Sequence, residues 1–249
     1  MRRCWVAAVV ACAFGFVASA QDIALLYADS AAYANDVAAK LTGTGLFASI
    51  TPIGVTTMTP TLQQLQAYDA VLTWTNQSYQ SASAMGDVLA DYVDAGGGVV
   101  VGVFATSTTT ANRSLTGRWS NGYDVIVPRS GNFTGHATLG TILVPNHPIM
   151  LGVSTFDGGT SSFRPSTTAV TAGSTRIVEW SDGKTLIAVG ASPHRADLGF
   201  FPVSNAASTN SWLSTTDGAR LMANALLYTI PEPSAVALLG LGLLALRRR

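Results

Sequence analysis

The stretch YDAVLTWTNQSYQSASAMGDVLADYVDAGGGVVVGVF, Tyr68 to Phe104, decides the fold. Ala70 to Trp74 and Val99 to Phe104 are short apolar runs with no polar alternation, the signature of strands covered on both faces. Between them Met85, Val88, Leu89, Tyr92 and Val93 recur at i, i+3, i+4, i+7 and i+8, the stripe of a helix packed on a sheet. Gly96-Gly97-Gly98 stops that helix and leads straight into the second strand. Parallel pairing needs a crossover long enough to bring the chain back to the same edge, and this helix supplies one.

The alternation extends upstream. Ile23 to Tyr27 is a buried-type strand, and Asp29 or Ser30 caps a helix in which Tyr33, Val37 and Leu41 recur every four residues until Gly43 closes it. Phe47 to Val55 reads as a second strand, and Thr59-Pro60 as the start of a short helix carrying Leu62 and Leu65. Downstream the pattern turns β-rich. Arg176 to Trp180 and Thr185 to Val189 flank Ser181-Asp182-Gly183-Lys184, a hairpin signal because Gly tolerates positive φ. Leu198 to Val203 reads as a further strand, and Asp217 opens a last helix with Leu221, Ala225 and Tyr228 on one face. The expectation is an α/β fold with a doubly wound, mostly parallel sheet and a β-rich second half, as one domain over residues 21–230.

The two ends read as addresses and not as fold. Arg2 and Arg3 form a positive n-region, Cys4 to Val17 an apolar core, and Ala18-Ser19-Ala20 a small-residue cleavage site, predicting a cut by signal peptidase between Ala20 and Gln21. Val9-Val10-Ala11-Cys12 is similar to a lipoprotein box, but Ala13 to Val17 stay apolar where a lipoprotein turns polar. At the other end stand Pro231-Glu232-Pro233, an uncharged run from Ser234 to Leu246, and Arg247-Arg248-Arg249. The thirteen residues of the run span about 20 Å as a helix. That is short of a bilayer core of ~30 Å, so the helix is marginal as a permanent membrane anchor and adequate as a transient one. This tail resembles the PEP-CTERM sorting signal of Gram-negative bacteria. The resemblance implies an exosortase-type processing enzyme as partner, passage through the inner membrane with the arginines held on the cytoplasmic side, and delivery to the cell surface or the extracellular matrix.

Composition narrows the chemistry of what lies between. Both cysteines, Cys4 and Cys12, belong to the leader, so residues 21–230 offer no disulfide, thiolate metal ligand or cysteine nucleophile. Those residues carry nine lysines and arginines against thirteen carboxylates, a net charge near −4, which excludes a basic footprint for nucleic acid.

Four segments carry a second resemblance: DIALLYAD at the start, YDAVLTW with its helix and GGGVVVGVF, NHPIMLGVSTF in the middle, and DGARLMANALLYT at the end. Together they resemble the class I glutamine amidotransferase-like fold, in its trehalose-utilisation-protein branch. The resemblance implies a nucleophile on a sharp elbow after the strand ending at Phe104. Here that place reads Ala105-Thr106-Ser107-Thr108, with no cysteine and no flanking glycines, so the architecture is expected without glutaminase chemistry.

Open α/β sheets bind ligands beyond the carboxyl ends of their strands, which makes Asp29, Asn76 and Ser107 the cleft candidates. Ser107 is a nucleophile only if a histidine serves it as base; otherwise it belongs to a polar Thr/Ser loop. His136, His147 and His194 lack metal-ligand spacing, and His147, between Asn146 and Pro148, reads as a turn-stabilising residue. Trp74, Tyr79, Trp119 and Tyr123 are either core side chains or rings for stacking on sugars. No cofactor is expected. Three functions remain open: an exported, non-catalytic module that binds a surface component such as exopolysaccharide, a surface hydrolase acting on a carbohydrate or ester, and an accessory subunit that docks a partner in the same cleft.

Overall fold

The computed structural model describes residues 21–231. The leader expected at 1–20, including Ala20, and the tail residues Glu232, Pro233, Arg247, Arg248 and Arg249 with their apolar run lie outside the described residues. In chain order the elements are β1 (Gln21–Ala28), α1 (Ala31–Thr42), β2 (Phe47–Gly54), α2 (Leu62–Leu65), β3 (Ala70–Thr75), α3 (Ala82–Asp94) and β4 (Gly98–Gly102). There follow β5 (Asn132–Phe133), β6 (Leu139–Ile142), a 3-10 turn (Pro148–Met150), β7 (Arg164–Pro165), β8 (Thr175–Trp180), β9 (Thr185–Val189), β10 (Arg195–Leu198) and α4 (Gly218–Thr229).

Eight strands form one mixed sheet in the order β2-β1-β3-β4-β10-β9-β8-β6. The first five run parallel and the last three alternate antiparallel. The parallel part has the strand order of a doubly wound sheet, with β10 in the fifth position and the order reversing between β1 and β3. The fold class is therefore the expected α/β type, and the β-rich part is the antiparallel extension around the β8–β9 hairpin. Gly183 turns that hairpin at φ +82°, as its place in the sequence requires.

Strand side chains alternate between two cores. Ile23, Leu25 and Leu72 pack under α1 and α4 with Val37, Leu41, Leu221 and Leu226. Ala24, Leu26, Val71, Val99 and Val101 pack under α2 and α3 with Leu65, Met85 and Leu89. α1 and α3 each start on a side-chain cap: Ser30 Oγ accepts from the Tyr33 N–H at 3.3 Å, and Ser81 Oγ from the Ala84 N–H at 3.2 Å.

Two expectations shift, and one alternative left open closes. The second helix starts at Leu62, because Thr61 and Gln64 form a reciprocal capping box that outcompetes Thr59-Pro60 as the start signal. The strand read at Leu198 to Val203 is instead Arg195–Leu198, and Gly199 to Val203 leave the ladder. Trp74, Tyr79 and Trp119 are core residues, none more than 2% exposed, so none of the three is free to stack on a sugar.

Candidate functional site

Asp29 and Asn76 follow the adjacent parallel strands β1 and β3 and meet where the strand order reverses. The N–H groups of Asn76 and Gln77 both donate to the Ala28 carbonyl, at 2.9 and 2.8 Å, which draws the two strand ends together. The Asp29 carboxylate then accepts from the Ser30 N–H at 2.7 Å, Trp74 Nε1 at 3.2 Å and Asn76 Nδ2 at 3.3 Å. On its far side Asn76 Oδ1 accepts from Arg113 Nη2 at 3.5 Å, and the Arg113 guanidinium lies 4.9 Å over the Phe104 ring. Burial pushes the Asp29 carboxyl up, against the pull of its three donors and the Arg113 charge. Burial also lowers Arg113, while the Asp29 charge opposes that shift.

The structure thus joins two of the three cleft candidates and adds Trp74 and Arg113 to them. The Arg113 backbone is tied in as well, since Thr75 Oγ1 donates to its carbonyl at 2.8 Å. Chemically this is a carboxylate, an amide and a half-buried guanidinium in series, a set able to bind polar or charged groups.

Ser107 belongs to a different contact. It lies in a tight turn after β4, its N–H donating to the Phe104 carbonyl at 3.3 Å, and it is fully buried. Its hydroxyl donates to Asn132 Oδ1 on β5. The Gly131 N–H donates to the Ser107 carbonyl at 2.7 Å, so the segment before β5 lies over the turn.

The histidines are engaged elsewhere. His136 Nε2 meets Asp157 at 3.1 Å, and His194 Nδ1 donates to the Thr229 carbonyl at 3.1 Å. His147 Nδ1 accepts from the Ile149 N–H at 3.3 Å and caps the 3-10 turn, and burial lowers its pKa. Among the described residues no group of three or more His, Cys, Asp or Glu is placed to hold a metal ion.

The structure also shows a pair of carboxyls that the sequence reading passed over, Asp124 and Asp197. Asp197 is fully buried on β10, and its Oδ2 accepts from the Ile126 N–H at 2.8 Å. Its Oδ1 is sealed from water and has no hydrogen-bond partner among the described residues. Burial raises Asp197 to about 8, with the nearby Asp124 adding repulsion, and burial raises Asp124 to about 7. The signal was a charged residue within the apolar run Ala196 to Val203, which the strand placement at Leu198 left outside. Both carboxyls are closed to solvent, and Asp197 ties the loop around Ile126 to the sheet.

The helix α4 ends at Thr229, and in the sequence Ile230 alone separates it from the Pro-Glu-Pro triplet. Residues 229–249 match the PEP-CTERM protein-sorting motif. The PEP-CTERM motif implies export and sorting to the cell surface, with an exosortase-type enzyme as processing partner. No curated protein matches the chain. Among the described residues no helix is long and apolar enough to cross a membrane, and the apolar run of the motif lies beyond them.

Proposed function

We propose that this exported chain is a leader (1–20), a non-catalytic α/β module (21–230) and a sorting tail (231–249), and that the module binds a surface component at its carboxyl edge. The module is read as amidotransferase-like in architecture and without that family's reaction. The observation that carries this reading is Ser107. It occupies the turn after β4 where a nucleophile would stand, yet it is buried and its hydroxyl is committed to Asn132. A serine nucleophile needs a base within hydrogen-bond reach, and the three histidines bond other partners. The hydrolase alternative would need the Ser107 hydroxyl to leave Asn132 and find a base.

Exopolysaccharide is the ligand class that suits the edge. Asp29, Asn76 and Arg113 together provide acceptors and donors for hydroxyl or acidic sugar groups. The test is binding of the exported 21–230 fragment to a glycan array. Arg113→Ala and Asp29→Ala are expected to weaken the glycan signal by ~10-fold or more, the scale of one lost charged hydrogen bond. Ester or glycoside hydrolysis by the wild type that disappears in Ser107→Ala would overturn the non-catalytic reading.

A further inference from the structure

Thr229, Ile230 and Pro231 belong both to the fold and to the sorting motif. Thr229 is the last residue of α4 and is fully buried, its Oγ1 donating to the Leu226 carbonyl at 2.8 Å. Its carbonyl accepts from His194, and a Cβ on Gly98 would stand only 2.6 Å from Thr229 Oγ1. The end of α4 is therefore clamped against the start of β4. Just past the clamp, Ile230 and Pro231 form one wall of an open groove of about 350 Å³. Gln66, Tyr68, Asp69 and Ala95 contribute to the other walls. Gln21, the first residue of β1 and the expected start of the mature chain, lines the same groove. Both ends thus leave one face, the amino edge of the sheet, opposite Asp29 and Asn76.

The sorting triplet follows this face with no linker. An extended chain advances at most ~3.6 Å per residue, so Pro231-Glu232-Pro233 ends within about 11 Å of Ile230. Any enzyme cleft that closes around the triplet has to meet the walls of the groove. The groove carries the Asp69 carboxylate beside the polar Gln66 and Tyr68, and Glu232 of the motif follows at once. Such a surface suits a polar or basic protein face and repels an anionic lipid surface.

We propose that the amino edge, centred on the groove between Gln21 and Pro231, is the docking surface for the exosortase-type enzyme. On this basis the enzyme reads the folded domain as well as the tail. The proposal rests on the sorting reading of the tail, and its test keeps the two apart.

The full chain is expressed in a host that has the enzyme, and tail removal is followed by mass. Ala95→Trp fills the groove from an exposed position at the end of α3. It is expected to slow maturation at least ~10-fold, the effect of about 1.4 kcal/mol lost at the contact. A spacer of about ten Gly and Ser residues between Ile230 and Pro231 moves the triplet up to ~36 Å from the face. In the wild type it separates the triplet from the groove and is expected to slow maturation about as much as Ala95→Trp does, and the two changes together to cost no more than either alone, a pattern that a misfolded Ala95→Trp would not show. A photo-crosslinker at Gln66 should capture the enzyme, whereas one at Asn112, on the carboxyl-edge loop, should not. Equal maturation of wild type and unspaced Ala95→Trp overturns the docking surface alone, as does crosslinking of Gln66 only to lipid. A wild-type chain that stays uncut overturns the sorting reading and the docking surface with it.

Discussion

Asp197 sits in the middle of the sheet, between β4 and β9, where a carboxylate is costly to bury. Its neighbours do not fully compensate. Oδ2 accepts from the Ile126 N–H, the Val125 N–H adds a lesser pull, and Oδ1 has no hydrogen-bond partner among the described residues, so burial favours the protonated acid. The folded pKa of about 8 lies above the ordinary 3.8, and Asp124, at about 7, is shifted the same way. For an acid raised on folding, the stabilising contribution is complete below the unfolded pKa and is lost as pH rises through the folded one. The domain is thus expected to lose stability from about pH 4 upward, with the loss complete near pH 8. Asp182 and Asp217 lie in the other window. Burial alone would raise each, but Arg164 acts on Asp182, and the N–H and O–H groups of Ser154 and Thr155 act on Asp217, to lower both. Their stabilisation is present above the unfolded pKa and is lost as pH falls through the folded one. In thermal melts between pH 5 and 9, Asp197→Asn should flatten the falling slope, and Asp124→Asn with Asp197→Asn should nearly remove it. An unchanged slope in the double variant would show that neither carboxyl is its source. Such a residue was hard to read from sequence, because whether an aspartate faces solvent or core depends on which loop crosses above it, here Val125 and Ile126.

At the scale of elements, the parallel half was legible and the loops were not. The strands and helices from β1 to β4 announce themselves by period and by caps, which are local signals. The fixed positions in the loops depend on distant contacts, as Arg113 reaching Asn76 and Ser107 reaching Asn132 show. Glycines record those contacts in a form the sequence cannot display. Gly86 lies inside α3, where glycine costs helix stability, and the pattern offers no reason for it. In the structure a Cβ there would stand 1.9 Å from the Thr116 carbonyl oxygen, where the loop after β4 presses on the helix. Gly86→Ala should therefore destabilise the domain by ~1–3 kcal/mol despite the better helix propensity of alanine. Gly43→Ala, whose Cβ approaches nothing closer than 3.3 Å at a right-handed φ of −62°, is the matched control and should be close to neutral. Denaturant midpoints of the two variants check the difference, and equal midpoints would mean that the loop yields freely.

The described molecule is polar, with the candidate site at one edge of the sheet and Gln21 and Pro231, where the described residues start and stop, at the other. This follows from the topology, since parallel strands bring all their amino ends to one edge and all their carboxyl ends to the opposite one. Under the proposed function, this leaves the binding edge on the side of the sheet away from the sorting motif. The same topology sets where the sorting motif can be separated from the fold. Ile230 caps α4 and packs against the core while Pro231 is exposed, so ending the chain after Ile230 removes no core contact. Ending it after Tyr228 removes Thr229, and with it a buried side chain, the acceptor for His194 and the contact that closes against Gly98. A half-buried donor left without its acceptor and the small cavity beside it together cost about 2–4 kcal/mol. For a domain of this size that corresponds to a fall in Tm of roughly 4–16 °C. Melting the two truncated fragments side by side is the test. The fragment ending at Ile230 is expected to unfold cooperatively at the temperature of the tailed protein, and the one ending at Tyr228 well below it. If both melt alike, Thr229 contributes nothing to the core, and the motif begins where the fold has already ended.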